Sequence, residues 1–418
     1  MLKLSYSTNG LTNVGFFEAV QAIKQVGYEG AEISFQKSQF NPFELIDDDL
    51  LKVKNFFEAN NISPVAISSA TTFFLSDIPH EPSIIALNKT ERQKRIDLIK
   101  RAIQIAKKIN CPIVSFQSGY LREEHIDQTD EGPMKLLIDG IKECLENIEN
   151  ITLVIEPEPG MFIESNDDAI TLINKINSPS FRLHLDIGHA YCTEKNYIQD
   201  IEAALPYIEY MHLADIKEGY NLRIKCINDL EYFNEQKTID LDFAGRLYYL
   251  IPQNLFFFFD KNNCICFYDE ILDESKKQNI EVISKRFVEN TSTKFISLKE
   301  IQNAIPNQDI DLEIKAYLDS VSGINLNILE KFKPILGYLR VTPEGLSSAV
   351  ITQPICNTIK GKVHYHEFPG KGGIDFSSLL KVLQEKKYQG FITVELYNHV
   401  DVWQTVLPES RAYLLNCM

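Results

Sequence analysis

Apolar runs of strand length alternate with amphipathic helical stretches along most of the chain. "LKLSYSTNG" is followed by "GFFEAVQAIKQVG", "GAEISF" by "ELIDDDLLKVKNFFEANN", and "PVAISSA" by the long "NKTERQKRIDLIKRAIQIAKKIN". "PIVSFQSG" precedes "MKLLIDGIKECLENIEN", "TLVIEPEPG" precedes "SNDDAITLINKIN", and "FRLHLDIGHA" precedes "IQDIEAALPYI". The seventh run is "YMHLADIK"; the eighth, "GFITVELYN", comes only near residue 390, after the helical "DFSSLLKVLQEKK". Eight such units in this order predict a (β/α)8 TIM barrel. A doubly wound sheet is the alternative, because barrel closure leaves no mark in a single sequence.

The rhythm breaks between the seventh and eighth units. Setting aside residues 218–362 leaves about 270, an ordinary barrel length. The expected organisation is therefore a barrel of residues 1–217 and 363–418 carrying an inserted α+β domain, 218–362, after strand seven. Within it, "LYYLIPQNLFFFFDKNNCICFYDEI" reads as strands with a hairpin turn at "DKNN". Helical patterns follow at "ESKKQNIEVISKRFVEN", "SLKEIQNAI" and "LEIKAYLDSV".

Composition narrows the function classes. The 418 residues are 44% hydrophobic, ordinary for a chain that buries a core. Forty-two Lys and Arg against 58 Asp and Glu give a net charge of −16, which disfavours non-specific nucleic-acid binding. "MLKLSYSTNG" turns polar within a few residues, unlike a signal peptide, and the most apolar window, "YYLIPQNLFFFF", is too short to span a bilayer. The eight cysteines include no CxxC pair, so a reduced, cytoplasmic protein that does not engage membranes is expected.

The chemistry concentrates where the later strands stop. In "TLVIEPEPG" an apolar run ends in Glu156, followed by proline, which turns the preceding residue away from helix. Strand six ends in Asp186 and His189, strand seven in His212 and strand eight in Glu395. A lone acid at a strand end is commonly solvated or salt-bridged, and a lone histidine is commonly a core group. Four strand ends carrying ligand types at one barrel mouth are harder to explain that way. Three carboxylates and one imidazole suit Mn²⁺, Mg²⁺ or Co²⁺ better than a thiolate site would, with Zn²⁺ also compatible. Glu158 and Glu164 are rival acids near strand five, and Glu156 is favoured because it directly ends the apolar run. His184 precedes Asp186 by two and shares its strand face, so it can line the barrel without touching a metal. Asp215 is read as structural.

"LVIEPEPG", "LHLDIGHA", "YMHLADIK", "FPGKGGIDF" and "ITVELYN", in this order, resemble the sugar phosphate isomerase/epimerase superfamily of xylose-isomerase-like TIM barrels. The resemblance covers residues 1–217 and 363–418. It implies a single divalent ion, manganese in the first instance, held by Glu156, Asp186, His212 and Glu395, with His189 contacting substrate. It further implies an isomerase or epimerase of a sugar or sugar-like hydroxycarbonyl compound. Glu156 and Glu395 would then move protons through a metal-stabilised enediolate; dehydration is a related outcome. The endonuclease IV branch needs further histidines on early strands, yet strand four ends "FQSG" and strand two "SFQ". His80, His364 and Glu158 are auxiliary candidates, and His366 and Lys371 candidate substrate contacts. "PGKGGID" before a helix offers backbone NH groups to an anion, or is simply a turn. A metal-dependent hydrolase or nuclease, and a partner-dependent biosynthetic barrel, are the competing functions. A small-molecule substrate is expected, with the insertion as a lid or recognition module for one larger than a simple sugar, and a homo-oligomer is compatible with the sequence.

Overall fold

The structure is a computed structural model that describes residues 2–216 and 366–418, apart from 77, 79, 122, 126–128, 130 and 147, together with the backbone of seven strands between residues 220 and 351. Eight parallel strands close into a barrel: β1 (Lys3–Ser7), β2 (Gly30–Ser34), β3 (Ser63–Ser68), β4 (Ile113–Phe116), β5 (Thr152–Ile155), β6 (Phe181–Asp186), β7 (Ile208–Leu213) and β8 (Phe391–Val394). β1 seals the ring, with Ser5 opposite both Gly30 of β2 and Thr393 of β8. This closure decides for the TIM barrel over an open, doubly wound sheet.

The helices are α1 (Phe16–Val26), α2 (Asp47–Ala59), α3 (Lys89–Ile109), α4 (Glu131–Leu145), α5 (Asn166–Ile176), α6 (Ile187–Thr193), α7 (Tyr197–Ala204), α8 (Phe376–Glu385) and α9 (Trp403–Cys417). In α1, Phe16, Ala19, Val20 and Ile23 are buried, the i, i+3, i+4, i+7 stripe of a helix laid on a sheet. The helix stops at Gly27, whose φ of 99° suits a residue without a Cβ. One helix differs from the sequence expectation. α6 starts directly after β6 because the Asp186 carboxylate accepts the His189 N–H and caps it, so His189 sits on a helix and not on the strand end. α9 carries Pro408 inside it, a residue that argues against a helix when read from pattern alone.

Strand alternation separates two environments. The positions turned outward to the helices are apolar and buried, among them Leu4, Ile33, Ile67, Val114, Ile155, Leu185, Met211 and Ile392. The lumen-facing positions are largely polar. Ser5 bonds Thr393 (2.5 Å), Ser115 of β4 bonds His184 of β6 (2.7 Å), and Glu32 of β2 bonds both Tyr210 (2.9 Å) and His212 (2.7 Å) of β7. Neither β4 and β6 nor β2 and β7 are neighbours in the ring, so these bonds cross the lumen. These bonds offset much of the cost of burying polar groups there, while Glu32 Oε1 and His184 Nε2 are left without a hydrogen-bond partner among the described residues.

By compactness the chain divides into two units, one of residues 1–120, 127–217 and 364–418 and the other of 121–126 and 218–363. The first contains the barrel. In the second, seven strands form one sheet in the order Thr293–Phe295, Ile265–Tyr268, Leu255–Phe259, Tyr248–Leu250, Tyr220–Ile224, Gly337–Thr342, Gly345–Ile351. Leu255–Phe259 and Ile265–Tyr268 pair antiparallel, Phe259 opposite Ile265. The helical patterns expected at 274–290, 297–305 and 312–321 lie outside the described residues. On the barrel side, Asp215–Ile216 pairs antiparallel with His366–Glu367, so the chain departs and returns just past the carboxyl end of β7.

Candidate active site

Each strand of the later half delivers one side chain to the carboxyl-terminal mouth. Glu156 follows β5, held by its N–H to Phe116 O (3.0 Å), and Glu395 follows β8, held by its N–H to Leu213 O (3.0 Å). Asp186 ends β6 and His212 is the penultimate residue of β7. One donor atom from each of Glu156, Asp186, His212 and Glu395 lies within 4.8 Å of the others. His212 Nδ1 is the common neighbour, 3.3 Å from Glu156 Oε1, 3.4 Å from Glu395 Oε2 and 3.9 Å from Asp186 Oδ2.

The donor set fits a divalent cation on the structure's own terms. Two buried carboxylates, Glu156 and Asp186, and the part-buried Glu395 converge on one imidazole, an arrangement of like charges that calls for a compensating cation. Asp186 Oδ2 and His212 Nδ1 are buried with no hydrogen-bond partner among the described residues, and both point into the cluster. Hard oxygen donors with one imidazole match Mn²⁺, Mg²⁺, Co²⁺ or Zn²⁺. Burial pushes the Glu156 carboxyl up, against the pull of His212. Burial also pushes on Glu395, but the imidazoles of His212, His366 and His189 hold it well below the ordinary carboxylate range. Burial pushes Glu158 up to about 8.

A cavity of about 390 Å³ is lined by Glu156, Glu158, His189, His366 and Glu395, and by residues of the β2–α2 and β3–α3 loops, including Lys37 and His80. His189 Nδ1 lies 2.8 Å from the Pro157 carbonyl, which can only accept, so this nitrogen carries hydrogen and Nε2 faces Glu158 at 3.5 Å. His366 is oriented likewise, its Nδ1 donating to Glu395 O (3.0 Å). Asp186, His189 and His366 form a second group whose donor atoms lie within 4.8 Å of one another. His184 is packed beneath, its Nδ1 on Ser115 Oγ and 3.7 Å from Glu156 Oε2. His364 lies outside the described residues.

Three site residues escaped the sequence reading. Asn9, just past β1, donates to Glu395 Oε1 (2.8 Å). Gln117, just past β4, donates to Glu156 Oε2 (3.1 Å) and Glu158 Oε2 (2.7 Å), tying the two acids together. Glu32 bonds the far nitrogen of His212. The strand-end criterion that singled out Glu156 would have found Asn9 and Gln117 had it been extended to amides.

The glycine-rich loop does cradle an anion, but one belonging to the chain. Asp215 accepts the N–H groups of Gly370 and Gly372 on Oδ2 (2.9 and 2.8 Å) and of Ile374 and Ile216 on Oδ1 (3.0 and 2.9 Å). These donors are therefore engaged internally. Lys371 is not among the cavity-lining residues; its ammonium lies over the Phe368 ring, 5.5 Å from the centroid.

The xylose isomerase-like TIM barrel family matches residues 20–238. L-ribulose-5-phosphate 3-epimerase UlaE of Shigella flexneri is 21% identical over 206 residues, covering 49% of this chain and 70% of that enzyme. Against the Escherichia coli enzyme of the same name the match covers 31% of this chain and less than half, 45%, of that enzyme. Among solved structures, 3-keto-D-glucoside 4-epimerase YcjR of E. coli superposes with a TM-score of 0.53 at 11% identity, covering all of both chains. The IOLI protein with a bound zinc atom superposes with a TM-score of 0.52 at 13% identity, covering all of this chain and 96% of that one. These structural likenesses concern the fold. With its closed eight-stranded ring and a family match over more than half its length, the chain belongs to the xylose isomerase-like TIM barrel family.

Proposed function

We propose that the protein is a divalent-metal-dependent epimerase or isomerase of a sugar or sugar-like hydroxycarbonyl compound. The observation that carries this reading is the placement of His212 Nδ1 between Glu156 and Glu395, with Asp186 completing the set. The relatives named epimerases support the reaction class. When bound at these four residues, a divalent cation supplies Lewis acidity to a substrate carbonyl and stabilises negative charge on its oxygen. The protein groups do the rest. Glu156 and Glu395 flank the same point from β5 and β8, so one takes the proton on the carbon next to the carbonyl and the other returns a proton from its own side. Return to the same carbon from the opposite face is epimerisation; return to the neighbouring carbon, with a hydroxyl proton passing between the two oxygens, is isomerisation. Asn9 fixes the Glu395 carboxylate, and Gln117 fixes Glu156 against Glu158. His189 Nε2, aimed by the Pro157 carbonyl, is positioned to bond a substrate hydroxyl. Residues 218–362 serve recognition of a substrate larger than a simple sugar, a role supported by their departure and return at the mouth end of β7.

A second reading is a hydrolase with more than one metal, favoured by the Asp186, His189 and His366 group, which shares Asp186 with the first set. The net charge of −16 weighs against a nucleic-acid substrate. Metal stoichiometry and proton exchange separate the two. Protein purified without chelator should contain about one equivalent of divalent metal. His212→Ala and Asp186→Ala should each lose most of it. With a responsive ketose in D₂O, wild type should incorporate deuterium next to the carbonyl, and Glu395→Gln should not, because an amide cannot exchange that proton. Full metal in both ligand variants would refute the site. An active enzyme that never exchanges the hydrogen, with two or more metals bound, would favour hydrolysis.

A further inference from the structure

Glu32 stands apart from the mouth. It lies mid-strand on β2, fully buried, in a run that is otherwise small or apolar. Its Oε2 receives the Tyr210 hydroxyl (2.9 Å) and sits 2.7 Å from His212 Nε2. Tyr210 Oη and Ser5 Oγ each lie 2.5 Å from Thr393 Oγ1, so a chain of hydroxyls from β1, β8 and β7 ends on this carboxylate. Among the described residues, His212 is the only basic side chain within ion-pair distance of Glu32. A neutral imidazole carries one N–H and one lone pair, and the partner of one nitrogen decides which is which. A carboxylate oxygen accepts from both partners and has no hydrogen to give, so His212 Nε2 is the donor towards Glu32. Nδ1 is then left with its lone pair towards Glu156, Asp186 and Glu395.

We propose that Glu32 is the positioning residue of the metal centre: it selects the Nε2–H tautomer of His212 and locks the ring with Nδ1 facing the cation. This rests on the reading of His212 as a metal ligand. A carboxylate reached across the lumen from a non-adjacent strand resists rotation of the ring in a way a nearby carbonyl on β7 could not, because β2 and β7 are held apart by β1 and β8. Partners behind a ligating histidine commonly contribute a 10–100-fold effect on metal affinity.

The test uses full-length protein and Co²⁺ as the probe, titrated against a competing chelator, with the visible absorption of the bound ion recorded. Glu32→Gln should bind Co²⁺ about 10–100-fold more weakly and with an altered spectrum. Tyr210→Phe, which removes the adjoining hydroxyl but leaves the Glu32–His212 pair, should bind it within about threefold of wild type, even where it lowers thermal stability. In ¹⁵N-histidine NMR of the Zn²⁺-loaded wild type, His212 should show hydrogen on Nε2 and metal on Nδ1. The spectrum needs no variant to fold, and hydrogen on Nδ1 would overturn the proposal. Wild-type affinity and spectrum in folded Glu32→Gln, with binding lost in His212→Ala, would overturn the role of Glu32 while leaving the metal centre intact. Unchanged Co²⁺ binding in His212→Ala would instead remove the metal reading, and this proposal with it.

Discussion

Asp215 shows how much a single side chain organises. Four backbone N–H groups, three of them from the 370–374 loop, converge on its two oxygens. Gly372 is required there for space: a Cβ would meet Ile216 O at 2.3 Å and Asp215 Oδ1 at 2.4 Å, and the carbonyl belongs to backbone that cannot yield. Asp215→Asn leaves one acceptor oxygen and turns an NH₂ towards donors. It should lower unfolding free energy by about 3 kcal/mol, since each orphaned buried donor costs about 1–3 kcal/mol. Gly372→Ala should cost about 2 kcal/mol through forced displacement of the loop. Urea unfolding reads both, with the midpoint falling and the slope unchanged. Because this loop follows the His366 segment, substrate turnover should suffer in both variants more than metal content.

At the scale of elements, the β3–α3 connection supplies part of the cavity wall and forms no helix or strand among its described residues. Arg95, buried on α3, compensates: Nε bonds Pro82 O (2.9 Å), Nη1 bonds Ser69 O (3.2 Å) and Nη2 bonds His80 O (3.0 Å). Burial lowers its pKa to about 10, with nearby Glu81 opposing, so it remains charged at neutral pH. One guanidinium thus holds three carbonyls of one loop, a task suited to its fixed fork of donors. Arg95→Met should destabilise the fold by about 2–3 kcal/mol. It should also speed amide exchange between residues 69 and 82 and raise KM for substrate several-fold. Metal stoichiometry should not change, because no ligand comes from this loop. Equal exchange in variant and wild type would show that the loop is held by other contacts.

For the whole molecule, the telling feature is where the chain interrupts itself. Asp215–Ile216 and His366–Glu367 are paired strands, so the two ends of the interruption are already side by side. All four proposed ligands lie outside residues 218–362. Replacing that segment by a short Gly-Ser linker should therefore leave about one equivalent of metal bound and the barrel folded, given ordinary linker tolerance at a strand junction. Substrate affinity or selectivity should fall. Unchanged kinetics in the shortened protein would reassign the segment to assembly or partner binding.

Periodicity in the sequence determined the eight strands of the barrel and the helices between them, because alternation and the helical repeat are local properties of neighbouring residues. The same locality made Glu156, Asp186, His212 and Glu395 visible as polar residues ending apolar runs. Tertiary structure decided what depends on residues far apart in the chain. It closed the ring through β1 and β8, brought Glu32 across the lumen to His212 over 180 positions, and placed Asp215 among amides more than 150 residues downstream. A mid-strand acid and a glycine-rich turn carry no local sign of such partners. Their roles arise only when closure removes them from water and leaves each buried polar group to be satisfied by what lies opposite.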